Sequence, residues 1–145
     1  MKQITLITVA AALVMLLAAC DPFSEASYTV YNYSDSIVTI KLGNDVQYLH
    51  QLADTNVWRS SNEESECLLR PKESMFVRYT WTDASVGSHT PLWEKIASIQ
   101  IGDQTLSPEK WEGGKQWQTS KSGGHLFSFG ETWTFQLFID NEDVE

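Results

Sequence analysis

The chain contains 145 residues, of which 10 are basic and 19 acidic, so its formal net charge is −9. This length is sufficient for one domain with its own hydrophobic core. Because nucleic acids and anionic lipid headgroups repel such a negative surface, the composition argues against nucleic acid as a partner.

Residues 1–19 are predicted to be a secretory signal peptide that does not belong to the fold. Lys2 gives this segment a positive charge, and the eleven residues from Val9 to Ala19 carry no polar side chain. Asp21 and Pro22 then stop any helix that continues. Counted from Ile4, the segment has sixteen residues, which is short of the about 20 that a membrane-spanning helix needs.

The sequence Leu17-Ala18-Ala19-Cys20 resembles the lipobox of bacterial lipoproteins. The resemblance implies that the Cys20 sulfur receives a diacylglycerol, that the chain is cut just before it, and that the new amino group is acylated. Several acyl chains hold a protein to a membrane more firmly than a single chain, which binds only marginally. A lipid-anchored protein of the bacterial cell envelope follows, with the inner and outer membranes both left open. An uncleaved anchor and a plain secreted protein are the alternatives.

Cleavage before Cys20 removes Lys2 and no acidic residue, so the remaining 126 residues carry 9 basic and 19 acidic side chains and a net charge of −10. We expect residues 20–27 to comprise the lipidated cysteine and a linker, residues 28–140 to form one β-sandwich domain, and residues 141–145 to form an acidic tail. Cys67 is then the sole remaining cysteine, and its place before Leu68 and Leu69 predicts a buried side chain.

Short runs rich in β-branched and aromatic residues, separated by turn residues, predict a series of short strands. The expected strands are 28–33, 37–42, 46–52, 67–70, 75–81, 97–101, 104–106, 115–119, 125–129 and 131–139. Single helical turns are expected at 91–96 and at 107–111, where Ser107 and Pro108 are typical of a helix start. The intervening stretches at 53–66 and 82–91 are expected to be polar loops.

Many short strands and no long amphipathic helix predict an all-β fold, an antiparallel β-sandwich that is immunoglobulin-like. An eight-stranded lipocalin-like barrel is the alternative. The stretches YTVYNYSDSIVTIKL (28–42) and LLRPKESMFVRY (68–79) resemble small, uncharacterised sandwich lipoproteins of gut-dwelling Gram-negative bacteria. That resemblance implies a fold rather than an activity.

No side chains have the spacing of a metal site or of a cofactor motif, so we predict no metal, no cofactor and no enzymatic activity. None of the histidines shares a helix with a second ligand, and the HExxH motif is absent. The histidines are His50, His89 and His125. The remaining enzymatic alternative is a small hydrolase centred on His89. Its sequence neighbours include Asp83, Ser85 and Ser88, but the Gly-x-Ser-x-Gly motif is missing.

The six tryptophans are the unusual feature of the composition. Trp81 and Trp133 are in phase with apolar strand faces, so we expect both in the core, with Trp133→Ala more destabilising than Trp117→Ala. The others lie among polar residues, at Trp58, Trp93, Trp111 and Trp117. We favour the interpretation that they fold inward and close the sandwich, since exposed indoles are costly. Alternatively, Trp58, Trp111 and Trp117 form a platform on which sugar rings stack.

The sequence as a whole predicts a lipid-anchored, non-enzymatic β-sandwich of the cell envelope that acts as a binding or scaffolding protein. A glycan-binding module that uses the loop tryptophans is the alternative. The expected partners are the membrane, through acylated Cys20, and a protein or a glycan.

The lipobox interpretation predicts that Cys20 carries the acyl chains. Cys20→Ser removes the thiol that forms the thioether, so the variant should retain its signal, incorporate no fatty acid and leave the detergent phase on partitioning. Metabolic labelling with a fatty acid measures this, with Cys67→Ser as the matched control that should label like the wild type. Equal labelling of the Cys20→Ser variant and the wild type contradicts the interpretation.

Overall fold

The computed structural model describes residues 24–61, 65–81, 89–123 and 130–144. These residues form ten strands and one turn of α-helix, α1 (Leu92–Lys95). The strands are β1 (Ser24–Asn32), β2 (Val38–Leu42), β3 (Tyr48–Gln51), β4 (Trp58–Ser61), β5 (Glu66–Leu69), β6 (Ser74–Trp81), β7 (Ile96–Ile101), β8 (Gln104–Thr105), β9 (Gln118–Gly123) and β10 (Glu131–Ile139). Short 3₁₀ turns occupy Pro108–Lys110, Glu112–Gly114 and Asn141–Val144.

The strands form two sheets that pack against each other. The larger sheet has the order β4-β3-β6-β1-β10-β9, and the smaller sheet has the order β5-β2-β7-β8. Within the larger sheet β1 pairs antiparallel with β6 and parallel with β10. The other strand pairs of the described residues are antiparallel. The predicted all-β sandwich is confirmed, and the lipocalin-like barrel is wrong because the two sheets do not close into one.

The hydrophobic core fills the space between the sheets, because alternate residues of each strand point toward the opposite sheet. From the larger sheet the most deeply buried side chains include Tyr28, Val30 and Met75, which are at most 1% exposed. From the smaller sheet, Ile40 and Cys67 are equally buried. The buried position of Cys67 confirms the sequence-based prediction.

The linker predicted for residues 20–27 is wrong at its C-terminal end, since β1 already begins at Ser24. Glu25 pairs with Thr80 of β6 on one side and with Thr132 of β10 on the other. The segment Ser24–Ser27 contains no residue with high strand propensity. Pairing on both sides overrides that weak local preference.

Of the acidic tail predicted for residues 141–145, the described residues 141–144 form a 3₁₀ turn that is tied to the domain rather than extended into solvent. Asn141 accepts a hydrogen bond from the backbone N–H of Asp35 at 3.0 Å. The Asp143 carboxylate lies 3.3 Å from the ammonium of Lys110. These contacts are made to residues more than thirty positions away in sequence, so local composition did not reveal them.

The predicted loops and weak strands also differ from the structure in detail. The loop expected at 53–66 contains β4, which pairs with β3 as a hairpin. The strand expected at 115–119 begins later, at Gln118, where pairing with β10 starts. The strand expected at 125–129 lies outside the described residues.

The fully buried amide of Asn32 joins the end of β1 to the smaller sheet. Its Nδ2 donates to the carbonyl oxygens of Ser36 at 2.8 Å and Leu69 at 2.9 Å. Its Oδ1 accepts from both the backbone N–H and the hydroxyl of Ser34, at 2.9 and 2.7 Å. Both N–H donors and both acceptor lone pairs of this amide are thus matched to neighbours.

The Asn32 network predicts that Asn32→Asp is strongly destabilising. The isosteric carboxylate cannot donate to the two carbonyl oxygens and places a charge beside them, so we expect a loss of about 3–5 kcal/mol, the scale for an uncompensated buried charge. Urea denaturation measures the loss. Asn44→Asp adds the same charge at an exposed turn and should change the stability by less than about 0.5 kcal/mol. Similar midpoints for the two variants contradict the role assigned to Asn32.

Candidate functional site

Trp111 and Trp117 lie in the interior of the sandwich, each with 4% of its surface exposed. The indole N–H of Trp117 donates to the backbone carbonyl of Trp111 at 2.8 Å. The Trp117 ring meets the ring of Tyr28 edge-on, with 5.8 Å between centroids. The interpretation that loop tryptophans fold inward is confirmed for these two residues.

The Gly113–Gly114 turn allows the chain to pass close to Trp93. Gly114 has a φ of +74°, and a Cβ at this position would lie 3.0 Å from the Trp93 ring. A side chain there would therefore strain the backbone and displace the indole. Trp93 itself packs against Tyr28 and Trp117, at 5.8 and 5.9 Å between centroids. The glycine turn thus keeps this aromatic interior closed.

Trp58 differs from the other loop tryptophans because it lies on the outside of the larger sheet. It begins β4 and is 43% exposed, and its ring centroid lies 6.0 Å from that of Phe76 in an edge-on arrangement. The body of the larger sheet therefore separates Trp58 from Trp111 and Trp117. The three tryptophans do not form the predicted stacking platform, since two of them are buried.

The predicted core positions of Trp81 and Trp133 are correct in strand phase but not in depth. Both are half-buried residues that pack against the core, and the Lys121 ammonium lies 4.8 Å from the Trp133 ring centroid. The expectation that Trp133 lies deeper in the core than Trp117 is wrong, because Trp117 is 4% exposed and Trp133 is half-buried. An inward-facing side chain is buried only where the opposite sheet covers it, and strand phase does not reveal that cover.

His89 takes part in an aromatic cluster rather than in a catalytic triad among the described residues. Its Nε2 shares a hydrogen bond with the Tyr28 hydroxyl at 2.7 Å, and the Trp81 ring stacks on it at 4.5 Å. Burial, followed by the nearby Lys95 ammonium, lowers the pKa of His89, and burial raises the pKa of Tyr28. Both groups are consequently neutral at pH 7. The other members of the hypothetical triad, at 83, 85 and 88, lie outside the described residues.

His50 of β3 and Glu73, the residue before β6, form a partly buried pair. The His50 Nε2 lies 2.8 Å from Glu73 Oε2, which also accepts the backbone N–H of Arg70 at 2.8 Å. Burial favours the neutral acid, but these hydrogen bonds outweigh it and lower the pKa of Glu73.

Over the described part of the chain, no three His, Cys, Asp or Glu side chains converge as metal ligands. None of its helices has the length and apolarity required to cross a bilayer.

The outer surface of the larger sheet carries aromatic and polar side chains in aligned rows. Tyr31 of β1 pairs with Phe138 of β10, and Thr29 pairs with Phe76 of β6 and with Gln136 of β10. Small hydroxyl side chains occupy many of the remaining outward positions. The surface therefore alternates between half-buried rings and smaller hydroxyl side chains, several of which are themselves buried among their neighbours.

Three aromatic rings at one end of this surface are nearly parallel. Phe138 lies 5.1 Å from Tyr31 and 5.6 Å from Tyr33, with interplanar angles of 7° and 6°. The backbone N–H of Tyr33 donates to Ile139 at 2.7 Å, which extends the pairing beyond the end of β1. Tyr33 is 59% exposed, so its ring is accessible from solvent.

A shallow depression of about 390 Å³ lies beside these tyrosines. We call it the tyrosine cleft, and it is lined by Tyr31, Tyr33, Gln51, Leu52, Asp54, Thr55, Asn56, Lys72 and Ser74. The Gln51 side chain is held in place because its Oε1 accepts from Ser74 and its Nε2 donates to Thr55, each at 3.1 Å. The cleft is thus assembled from the end of β1, the β3–β4 turn and the β5–β6 turn.

Two of the cleft residues adopt an unusual backbone conformation. Asp54 and Lys72 have φ values of 53° and 68°, and among the described residues no other non-glycine residue has a positive φ. This conformation is disfavoured for side-chain-bearing residues, although less for Asp than for Lys. Such residues persist where the surrounding structure holds them, and they cluster at functional sites.

The outer surface of the larger sheet is electrically balanced, unlike the chain as a whole. Among the outward positions of its described strands, only Glu25 and Arg78 are charged, and they form an ion pair at 3.3 Å. At the tyrosine cleft, the Lys72 ammonium lies 3.8 Å from a carboxylate oxygen of Asp54. The net charge of −9 is therefore carried elsewhere on the protein.

Comparison with known proteins gives no further information about this site. No protein-family model matches the sequence, and a search of curated proteins finds no significant match.

The burial of Trp117 predicts that Trp117→Ala costs about 3–5 kcal/mol of stability, the scale for truncating a large buried aromatic side chain. Trp58→Ala should cost well under half of that, because Trp58 already contacts solvent. Denaturant midpoints measure both losses, with Trp133→Ala expected between them. A larger loss for Trp58→Ala than for Trp117→Ala contradicts the packing described above.

The lowered pKa of Glu73 predicts an acid-dependent loss of stability. The folded state holds the Glu73 proton less tightly than the unfolded state does. The stability that the ionised Glu73 carboxylate contributes is therefore fully present above the pKa of this group in the unfolded state, and it disappears as pH falls through its pKa in the folded state. Glu73→Gln should be less stable than the wild type at neutral pH and should lose less stability on acidification. Urea unfolding at successive pH values measures this, with Glu112→Gln as an exposed control. Parallel curves for wild type and Glu73→Gln contradict the prediction.

Proposed function

We propose that this protein is a lipid-anchored, non-enzymatic binding domain of the bacterial cell envelope, and that the tyrosine cleft is its binding site. The observation that carries the proposal is the nearly parallel group of Tyr31, Tyr33 and Phe138, of which Tyr33 is exposed and the other two are half-buried, beside a depression lined by polar side chains. Ligand sites combine apolar rings with a few placed polar groups in this way.

The position of the cleft is consistent with a domain attached through Cys20. Three residues separate Cys20 from the start of β1 at Ser24, so the tether spans at most roughly 14 Å between the Cα atoms of Cys20 and Ser24. Tyr33 follows Ser24 by nine residues, which corresponds to roughly 30 Å along an extended strand. The cleft therefore lies at the end of β1 that is farther from the lipid attachment point.

A structural role for His89 supports the non-enzymatic part of the proposal. Among the described residues its hydrogen-bond partner is the neutral phenol of Tyr28, and its ring is stacked against Trp81. A neutral histidine held between aromatic rings contributes to packing. The tyrosine cleft, by contrast, contains no histidine or cysteine that would act as a base or a nucleophile.

Site-specific photo-crosslinking in cells tests the proposal with the intact lipoprotein. A benzophenone side chain at position 33 inserts into nearby C–H bonds of proteins and sugars alike. The same side chain at position 68, an exposed position of the smaller sheet, is the matched control. We expect a discrete higher-mass adduct from position 33 and none from position 68. Equal adduct formation at both positions, or at neither, contradicts a binding role for the cleft.

A further inference from the structure

We propose that the tyrosine cleft binds a neutral oligosaccharide, which extends from Tyr33 across the outer surface of the larger sheet toward Trp58. This inference rests on the binding function proposed above and adds the class of ligand and its path. The aromatic side chains of this site differ from those of the tryptophan platform considered from the sequence, and only Trp58 belongs to both sets.

The exposed rings provide apolar faces of the right kind for sugar rings. Tyr33 is 59% exposed and Trp58 is 43% exposed. An aromatic face carries partial negative charge, so it attracts the polarised C–H groups on the less polar side of a pyranose. Because Tyr31, Tyr33 and Phe138 are held nearly parallel by strand pairing, their surface is already ordered before a ligand arrives.

The cleft also provides the hydrogen-bonding groups that sugar hydroxyls require. Each hydroxyl both donates and accepts, and the amides of Gln51 and Asn56 offer both functions on one side chain. Asp54 adds acceptors and Lys72 adds donors. Gln51 is fixed by Ser74 and Thr55, which leaves one N–H and one lone pair of its amide for a ligand.

The charge distribution favours a neutral ligand over an acidic or a basic one. The charged side chains at the described outward positions of the larger sheet and in the cleft occur as the pairs Glu25–Arg78 and Asp54–Lys72, each of which sums to zero. A basic peptide would be attracted to acidic groups, and this surface has no excess of them. An acidic glycan would be repelled by the overall charge of −9.

The separation of the rings indicates a ligand longer than one sugar. Trp58 and Tyr31 lie on β4 and β1, which are separated by β3 and β6. Three strand spacings correspond to roughly 14 Å. Between them lie Gln51 and Ser74 in the same row, and Phe76 in the next one. A protein partner of ordinary size would instead have to desolvate these polar positions over about 800 Å².

Binding of short neutral gluco-, manno-, xylo- and galacto-oligosaccharides to the mature lipoprotein tests the proposal, in a detergent without a sugar headgroup. We expect at least one of these series to bind, with affinity that rises with chain length and changes little with salt. Tyr33→Ala should weaken binding about tenfold or more, as expected for an anchoring aromatic side chain. Trp58→Ala should weaken the longer oligosaccharides and leave the shortest unaffected. Leu68→Ala, on the smaller sheet, is the control that should bind like the wild type.

The outcomes separate this inference from the proposed function. No binding by any neutral series, together with a position-33 adduct in cells, overturns the glycan inference and leaves the binding function standing. An adduct that is a protein likewise overturns the inference. So does binding of an acidic glycan, probed with polygalacturonate in the same assay, when none of the neutral series binds. Absence of both glycan binding and the adduct overturns both proposals. If Tyr33→Ala and Leu68→Ala weaken oligosaccharide binding equally, the ligand binds elsewhere, and this result contradicts binding at the cleft.

Discussion

The hydrogen bonds of Asn32 are the constraint on which the rest of the fold depends. This residue ends the central strand of the larger sheet, and its side chain bonds to Leu69 at the end of β5 in the smaller sheet. Its backbone N–H donates to Glu73 and its carbonyl accepts from Lys72, at 3.0 and 2.8 Å. One buried residue therefore joins the two sheets and the β5–β6 turn. A buried amide is tolerated there because its polar atoms are matched by neighbours.

The same constraint positions the proposed binding site. Asn32 lies between Tyr31 and Tyr33, so turning its side chain inward turns both tyrosines outward. Its backbone bond to Lys72 brings the β5–β6 turn alongside those tyrosines, and the positive φ of Lys72 belongs to that turn. The stability of the sandwich and the geometry of the tyrosine cleft are thus coupled through a single position.

The two faces of the larger sheet use aromatic residues for different purposes. On the inner face, Tyr28 contacts Trp93, Trp117 and Phe135, and together they form a closed aromatic interior. On the outer face, Tyr31 and Phe138 are half-buried beside the exposed Tyr33. The high aromatic content that first suggested a loop platform is therefore divided between a packed core and an accessible surface.

The candidate site was harder to predict from the sequence than the fold. Trp58, Trp111 and Trp117 have similar polar neighbours in sequence, yet one is exposed and two are buried. Local composition cannot separate these cases, because burial depends on which distant segment covers the side chain. The tyrosines of the cleft carried a usable signal, since alternation along β1 places Tyr31 and Tyr33 opposite to the apolar Tyr28 and Val30. The residues that lie beside these tyrosines on neighbouring strands carried no such signal in the sequence.

The sequence by itself determined the alternation of each strand, the turns between strands and, through these, a β-sandwich rather than a helical fold. These features are local, because a period of two and the turn chemistry of Gly, Asn and Ser act over a few residues. The tertiary structure alone decided that β1 begins at Ser24, that β10 lies parallel to it, and that Phe138 stands beside Tyr31. It also decided which tryptophans are covered. Those outcomes depend on pairing and packing between residues that are far apart in the chain, and no short pattern encodes them.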